Sequence, residues 1–144
     1  MYIHTDLRGP GTGIGWVRAT GVSLLGGLIR ESEMTSIPHA LAIALPEALL
    51  APGFVWPAIS GDAHGSGFVP EGSLLAIPRG TAKPGGLSPL GSAIFDALTN
   101  YGAYVVDKAG ASVLVVEPTA DAGAVNAARG DVGAIMPLVR RVVR

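Results

Sequence analysis

The stretch Leu87–Val116, LSPLGSAIFDALTNYGAYVVDKAGASVLVV, decides how the chain is read. Ser88 is a suitable N-cap. Pro89 suits the first helical position, where its missing N–H would have no partner in any case. Leu90, Ile94, Leu98 and Tyr101 recur at helical spacing and form one apolar stripe. Gly102 stands where a chain leaves a helix with positive φ, so the spacing predicts a helix over 88–101. After it, Ala103–Val106 is β-rich, Asp107–Gly110 has turn composition, and Ser112–Val116 is a second β-rich run. Together they predict a hairpin. One hairpin under one helix is not stable alone and needs more strands.

The flanking sequence offers them. In His39–Leu45, His39, Leu41, Ile43 and Leu45 share one face and Ala40, Ala42 and Ala44 the other, the pattern of a central strand. Its alanine face admits a close neighbour. Val22–Ile29, with Gly26-Gly27 inside it, suits a strand with a bulge. Phe54–Ala58, Leu74–Ile77 and Leu138–Val143 read as further short strands between Gly/Pro turns, and Val69–Gly72 as a turn. Residues 117–130 are Ala-rich with loose patterning, and Asp131 suits the cap of a short turn through Met136. The expectation is a mainly β domain, a β-sandwich of jelly-roll type with one amphipathic helix and the hairpin that follows it. Met1–Gly21 carries five glycines and Pro10 and is too flexible to nucleate structure. It reads as a glycine-rich arm, anchored by Trp16 and Val17, in front of a single domain spanning 22–144. The run Gly9–Gly13 lacks the strand, helix and Gly-Lys-Ser/Thr of a phosphate loop.

At 144 residues the chain fits one domain, long enough to bury about 70% of its unfolded surface. Ten basic and eleven acidic side chains give a net charge of −1, so there is no basic field for nucleic acid. Charged residues make up 15% of the chain, against about 25% in ordinary domains. Such a low share points either to a surface covered by another protein or to an Ala/Gly-rich source. The absence of cysteine removes disulfides and thiolate metal sites. Tyr2–Asp6 has neither the basic nor the apolar region of a signal peptide. No apolar run approaches a membrane span.

Four groups of residues carry candidate chemistry. His39, at the head of its strand, is either a base or a histidine whose ring bonds a turn carbonyl; buried polar groups are usually paired, which favours the structural role. Asp62 and His64 share a glycine-rich loop after Trp56. With Tyr104 they would line a shallow glycan- or receptor-binding groove, aromatic faces stacking on sugar rings; the alternative is a solvated loop tip. Two such residues fall short of a metal site, and no metal or other cofactor is expected. Asp62, Glu71, Asp96 and Asp107 are the acids of the middle region, but each has an ordinary structural explanation, and Asp107 reads as a structural turn residue. Sequence supplies no glycosidase pair and no nucleophile elbow. The basic end Arg140-Arg141 and Arg144 fits either a partner's acids or a solvated terminus.

Several of these segments resemble a domain of bacteriophage tail fibres and tailspikes, found also in secreted bacterial proteins. The matching stretches are Leu24–Arg30, Ile37–Ala42, Val55–Ala58, Pro70–Pro78 and Tyr101–Asp107, and Leu138–Val143 is similar too. They are turns and strands, so the resemblance implies architecture and no catalytic residue. It further implies a non-enzymatic virion structural protein, assembled in the host cytoplasm as a homo-oligomer, a trimer by analogy with tailspikes. Its partners would be other virion proteins and, through receptor binding, a host surface glycan. Nucleic acid and membrane insertion are not expected. The relatives are parts of longer chains, whereas this sequence is short. The other reading is a carbohydrate-binding or polysaccharide-degrading module.

Overall fold

The structure of the protein is a computed structural model that describes residues 18–143. Strand β1, Leu41–Pro46, lies inside a five-stranded sheet because both of its sides are apolar. Its neighbours are β5 (Ala103–Ala109), which runs parallel to it, and β6 (Val113–Leu114), antiparallel. Strand β4 (Leu74–Ala76) pairs with β5, and β7 (Arg140–Arg141) closes the far edge, giving the order β6-β1-β5-β4-β7. Strands β2 (Leu50–Phe54) and β3 (Val69–Glu71) form a separate parallel pair. Helices α1 (Pro89–Asn100) and α2 (Ala122–Ile135) pack on each other. The core joins Leu41, Ile43 and Leu45 of β1 and Ala103 and Val105 of β5 to Leu90, Ile94 and Leu98 of α1.

Helix α1 forms where its signals lie. The Ser88 hydroxyl accepts from the Gly91 N–H at 3.1 Å, and Gly102, at φ 78°, returns its N–H to the Ala97 carbonyl at 3.0 Å. Tyr101, expected on the apolar stripe, is exposed instead.

The mainly β, jelly-roll-like sandwich is corrected to a mixed α/β layer structure. Three departures produce the change. The expected hairpin does not form, because β1 inserts between β5 and β6 and takes hydrogen bonds from both. β5 also runs on through Asp107-Lys108, read as a turn, by way of a bulge between its pairings at Val105 and Asp107. The Ala-rich stretch is a fourteen-residue helix, capped by Asp121, whose carboxylate accepts from the Ala124 N–H at 2.7 Å. Asp131, expected to cap a later turn, sits within α2 and caps α1 instead; its Oδ2 accepts from the Ser88 N–H at 3.0 Å and from the Ser88 hydroxyl at 2.6 Å.

The Val22–Ile29 strand reduces to one bridge, Ile29 with Val116. Gly27 there has φ 76°, and a Cβ on it would run into the backbone of Ala42, whose N–H it accepts at 3.1 Å. Much of the expected arm, with Trp16, Val17 and Gly9–Gly13, lies outside the described residues. Its last residues pack into the body: Thr20 is fully buried and donates its hydroxyl to the Val106 carbonyl at 2.6 Å.

Candidate functional site

Between β2 and β3 the chain makes a tight turn through Val55–Ala58, with a cis Trp56-Pro57 bond. The Val55 N–H bonds the Glu71 carbonyl at 2.8 Å, and the Ala58 N–H returns to Val55 at 3.0 Å. Gly72, at φ 84°, lies so close to the Val55 carbonyl that a Cβ would not fit. This turn pushes Trp56 outward, 77% exposed. Tyr104, half-buried on β5, faces the same groove, a hollow of about 240 Å³ completed by Ser73, Leu74 and Arg141. The buried Ser73 hydroxyl has no partner among the described residues. Leu49, Phe68, Leu75 and Met136 line a second hollow that shares Arg141. Arg141 donates to the Phe68 carbonyl at 2.9 Å. Apolar walls with a few polar groups suit ligand binding or docking.

Beside this turn three acids converge. Glu71 ends β3 and is wholly buried; Asp62 lies in the glycine-rich loop and Asp107 in β5. One carboxylate oxygen of each is within 4.8 Å of the other two. Glu71 Oε2 accepts the N–H groups of Asp62 at 2.9 Å and Ala63 at 3.3 Å. Burial pushes the Glu71 carboxyl above the ordinary carboxylate range; these two bonds oppose the rise, and the fields of Asp62 and Asp107 add to it. Lys108 Nζ lies 3.2 Å from Asp62 Oδ2 and 3.6 Å from Glu47 Oε2, and donates to the Asp62 carbonyl at 2.9 Å. The bond to Asp62 holds the ammonium above its ordinary value. Glu71 Oε1 and Asp62 Oδ1 are buried without hydrogen-bond partners among the described residues.

The structure therefore divides the expected groove. Trp56 and Tyr104 come together. Asp62 goes to the acid cluster, and His64 is exposed, its backbone N–H held by Glu47 Oε1 at 2.6 Å. His39 lies just before β1, its ring nitrogens 3.0 Å from the Ala40 carbonyl and 3.0 Å from Glu33 Oε2. Asp107 is a strand residue that accepts the Lys108 N–H at 2.9 Å. Asp96 stands apart from the other acids, paired with Lys83 at 2.7 Å. Ser73 carried no signal in the sequence, while Glu71 stood out only as one of four acids and Arg141 only as part of the basic end. A glutamate within the apolar run Val69–Ile77 was the available signal, hidden by Pro70 and Gly72, which give the segment a turn composition.

Comparison with known protein families, with characterised proteins and with solved structures finds no match. Among the described residues, no helix is long and apolar enough to cross a membrane.

Proposed function

We propose that this domain is a non-catalytic adhesive module: a virion surface component of the tail-fibre or tail-tip kind, assembling with copies of itself and with neighbouring virion proteins and contacting the host surface. The observation that carries this reading is the gathering of exposed apolar side chains along the β7 edge of the sheet. Trp56 is 77% and Phe68 71% exposed; Trp56 and the exposed Val55 share one hollow with Arg141 and Val142, and Phe68 and the exposed Leu49 share the other with Arg140 and Arg141. Single exposed hydrophobic residues are ordinary, but a group of large ones beside a sheet edge suits an interaction surface. The tail-fibre resemblance supplies the setting. Light scattering on the purified protein tests the reading. An oligomer is expected, a trimer by analogy, weakened by the double change Trp56→Ser and Phe68→Ser. A monomer at every concentration that never co-purifies with particles would refute it.

A carbohydrate-binding reading is favoured by a separate observation, that Trp56 and Tyr104 share one groove with the Arg141 guanidinium. Aromatic faces stack on sugar rings, and nearby polar groups fix their orientation. Trp56→Ala should abolish signal on a glycan array while shifting stability by no more than about 0.5 kcal/mol, as expected for an exposed side chain. Unchanged glycan binding would remove this reading.

A further inference from the structure

We infer that the carboxylates of Asp62, Glu71 and Asp107 form a binding site for a hard divalent cation of the calcium class. The three groups come from separate parts of the chain: the glycine-rich loop, the end of β3, and β5 beyond its bulge. One oxygen of each lies within 4.8 Å of the others. Calcium binds carboxylate oxygens at about 2.3–2.6 Å, so ligands on opposite sides of one ion stand roughly 5 Å apart and adjacent ligands closer. Oxygens spaced as these are can share one ion. The donor set is all oxygen, with neither imidazole nor thiolate, which suits calcium, magnesium or manganese rather than zinc or copper.

Clustering alone would not carry the assignment, because acids also gather around a lysine. The second observation is the state of the oxygens. Glu71 is wholly buried and its Oε1 meets no partner among the described residues; the buried Asp62 Oδ1 meets none either. Buried oxygens are almost always paired, and one cation can satisfy both. Lys108 is exposed and does not satisfy these oxygens. It pairs with Asp62 Oδ2 and Glu47 and makes no ion pair with Glu71 or Asp107. Gly61 lets the loop pass close to the carboxylate, since a Cβ there would stand 2.6 Å from Glu71 Oε2. Calcium suits the site best because its flexible coordination tolerates ligands drawn from a loop and two strands, whereas magnesium demands near-octahedral geometry. Once bound, it would tie the loop to β3 and β5.

The test uses the unmodified protein first. After dialysis against a chelator, terbium is added and its luminescence is excited through the protein's aromatic rings; calcium chloride is then titrated calorimetrically. One saturable site per chain is expected, with calcium displacing terbium and the melting temperature rising with calcium concentration. Asp107→Asn and Glu71→Gln should each weaken calcium binding tenfold or more. The Asp107 change is the safer of the two, because that residue is only partly buried. Absence of both terbium emission and calcium heat in the unmodified protein would overturn the site. So would calcium binding of undiminished strength in folded Asp107→Asn, which would place the ion elsewhere.

Discussion

Replacing Gly91 by alanine should destabilise the protein, although alanine is the better helix former. Gly91 lies in the first turn of α1, where propensity alone would favour alanine by up to about 1 kcal/mol. A Cβ there meets the Asp131 carboxylate of α2, with Oδ2 in direct collision, Cγ at 2.8 Å and the Asp131 Cβ at 3.0 Å. Because the short aspartate side chain is close along its whole length, it must swing away or α2 must shift. Swinging away breaks its bonds to the Ser88 N–H and hydroxyl. A hydrogen bond to a charged group contributes about 1.5–3 kcal/mol, and a carboxylate near a helix N-terminus adds about 0.3–1 kcal/mol. Water at the half-buried Ser88 recovers part of that. Set against the propensity gain, the net loss should be about 1–2 kcal/mol. In a chain of this length that lowers the melting temperature by roughly 3–6 °C. Urea melts of Gly91→Ala, Asp131→Ala and the double variant form a cycle that isolates the contact. With Asp131 shortened, alanine at 91 should become neutral or stabilising. If Gly91→Ala alone raises stability by the full propensity gain, α2 does not cap α1 and the two helices do not meet at Gly91.

Leu98, fully buried between α1 and the sheet, should cost about 2–5 kcal/mol on truncation to alanine, read from the urea midpoint; a loss below 1 kcal/mol would mean that the helix does not lie on the sheet. The His39–Glu33 contact predicts a modest pH dependence. Burial pulls the His39 pKa down, but the bonds to the Ala40 carbonyl and Glu33 carry it above the ordinary 6.5. Burial likewise pushes Glu33 up, and its bonds to the Arg30 N–H and His39 bring it below 4.5. The histidine contribution is therefore complete below about pH 6.5 and fades as the pH rises through the folded value. The glutamate contribution is complete above about pH 4.5 and fades as the pH falls through its own folded value. A partly exposed pair of this kind contributes about 0.2–1 kcal/mol. Urea melts at pH 5.5 and 8 should show the unmodified protein losing up to that amount relative to His39→Gln; identical slopes would show that the contact contributes nothing.

Local signals were legible where the chemistry was local. Ser88, Pro89 and Gly102 each satisfy a helix end with neighbouring backbone, so α1 could be placed from its own residues. The alternation of His39–Leu45 likewise marked an inner strand. The partners of that strand were not legible, because register is chosen by long-range pairing: β5 and β6 look like a hairpin until β1 competes for the same hydrogen bonds. Helix α2 was obscured by composition. Val125, Ala128, Val132 and Ile135 keep helical spacing, but Gly123, Gly130 and Gly133 lower its propensity, and only Ala128 and Ile135 are buried. The site failed to show for a related reason. Asp62, Glu71 and Asp107 are each unremarkable in sequence, and the sheet, not a motif, brings them together.

Glu71 is the residue through which the two halves of the site can influence each other. Its carboxylate belongs to the acid cluster, and its carbonyl holds the Val55 N–H of the turn that presents Trp56. The next residue, Gly72, donates to the Val105 carbonyl at 2.7 Å, two positions from Asp107 on the same strand. A charge change at the cluster therefore acts on a short stretch of backbone that also sets the position of the groove. Interiors are close-packed, and Gly72 has no space to yield toward Val55. The physical expectation is that ordering of the Asp62 loop and positioning of Trp56 vary together. With Trp16→Phe leaving Trp56 as the single tryptophan, its fluorescence should then report events at Glu71 that no ligand in the groove has caused, and a change confined to one half would mean that Glu71 does not couple them.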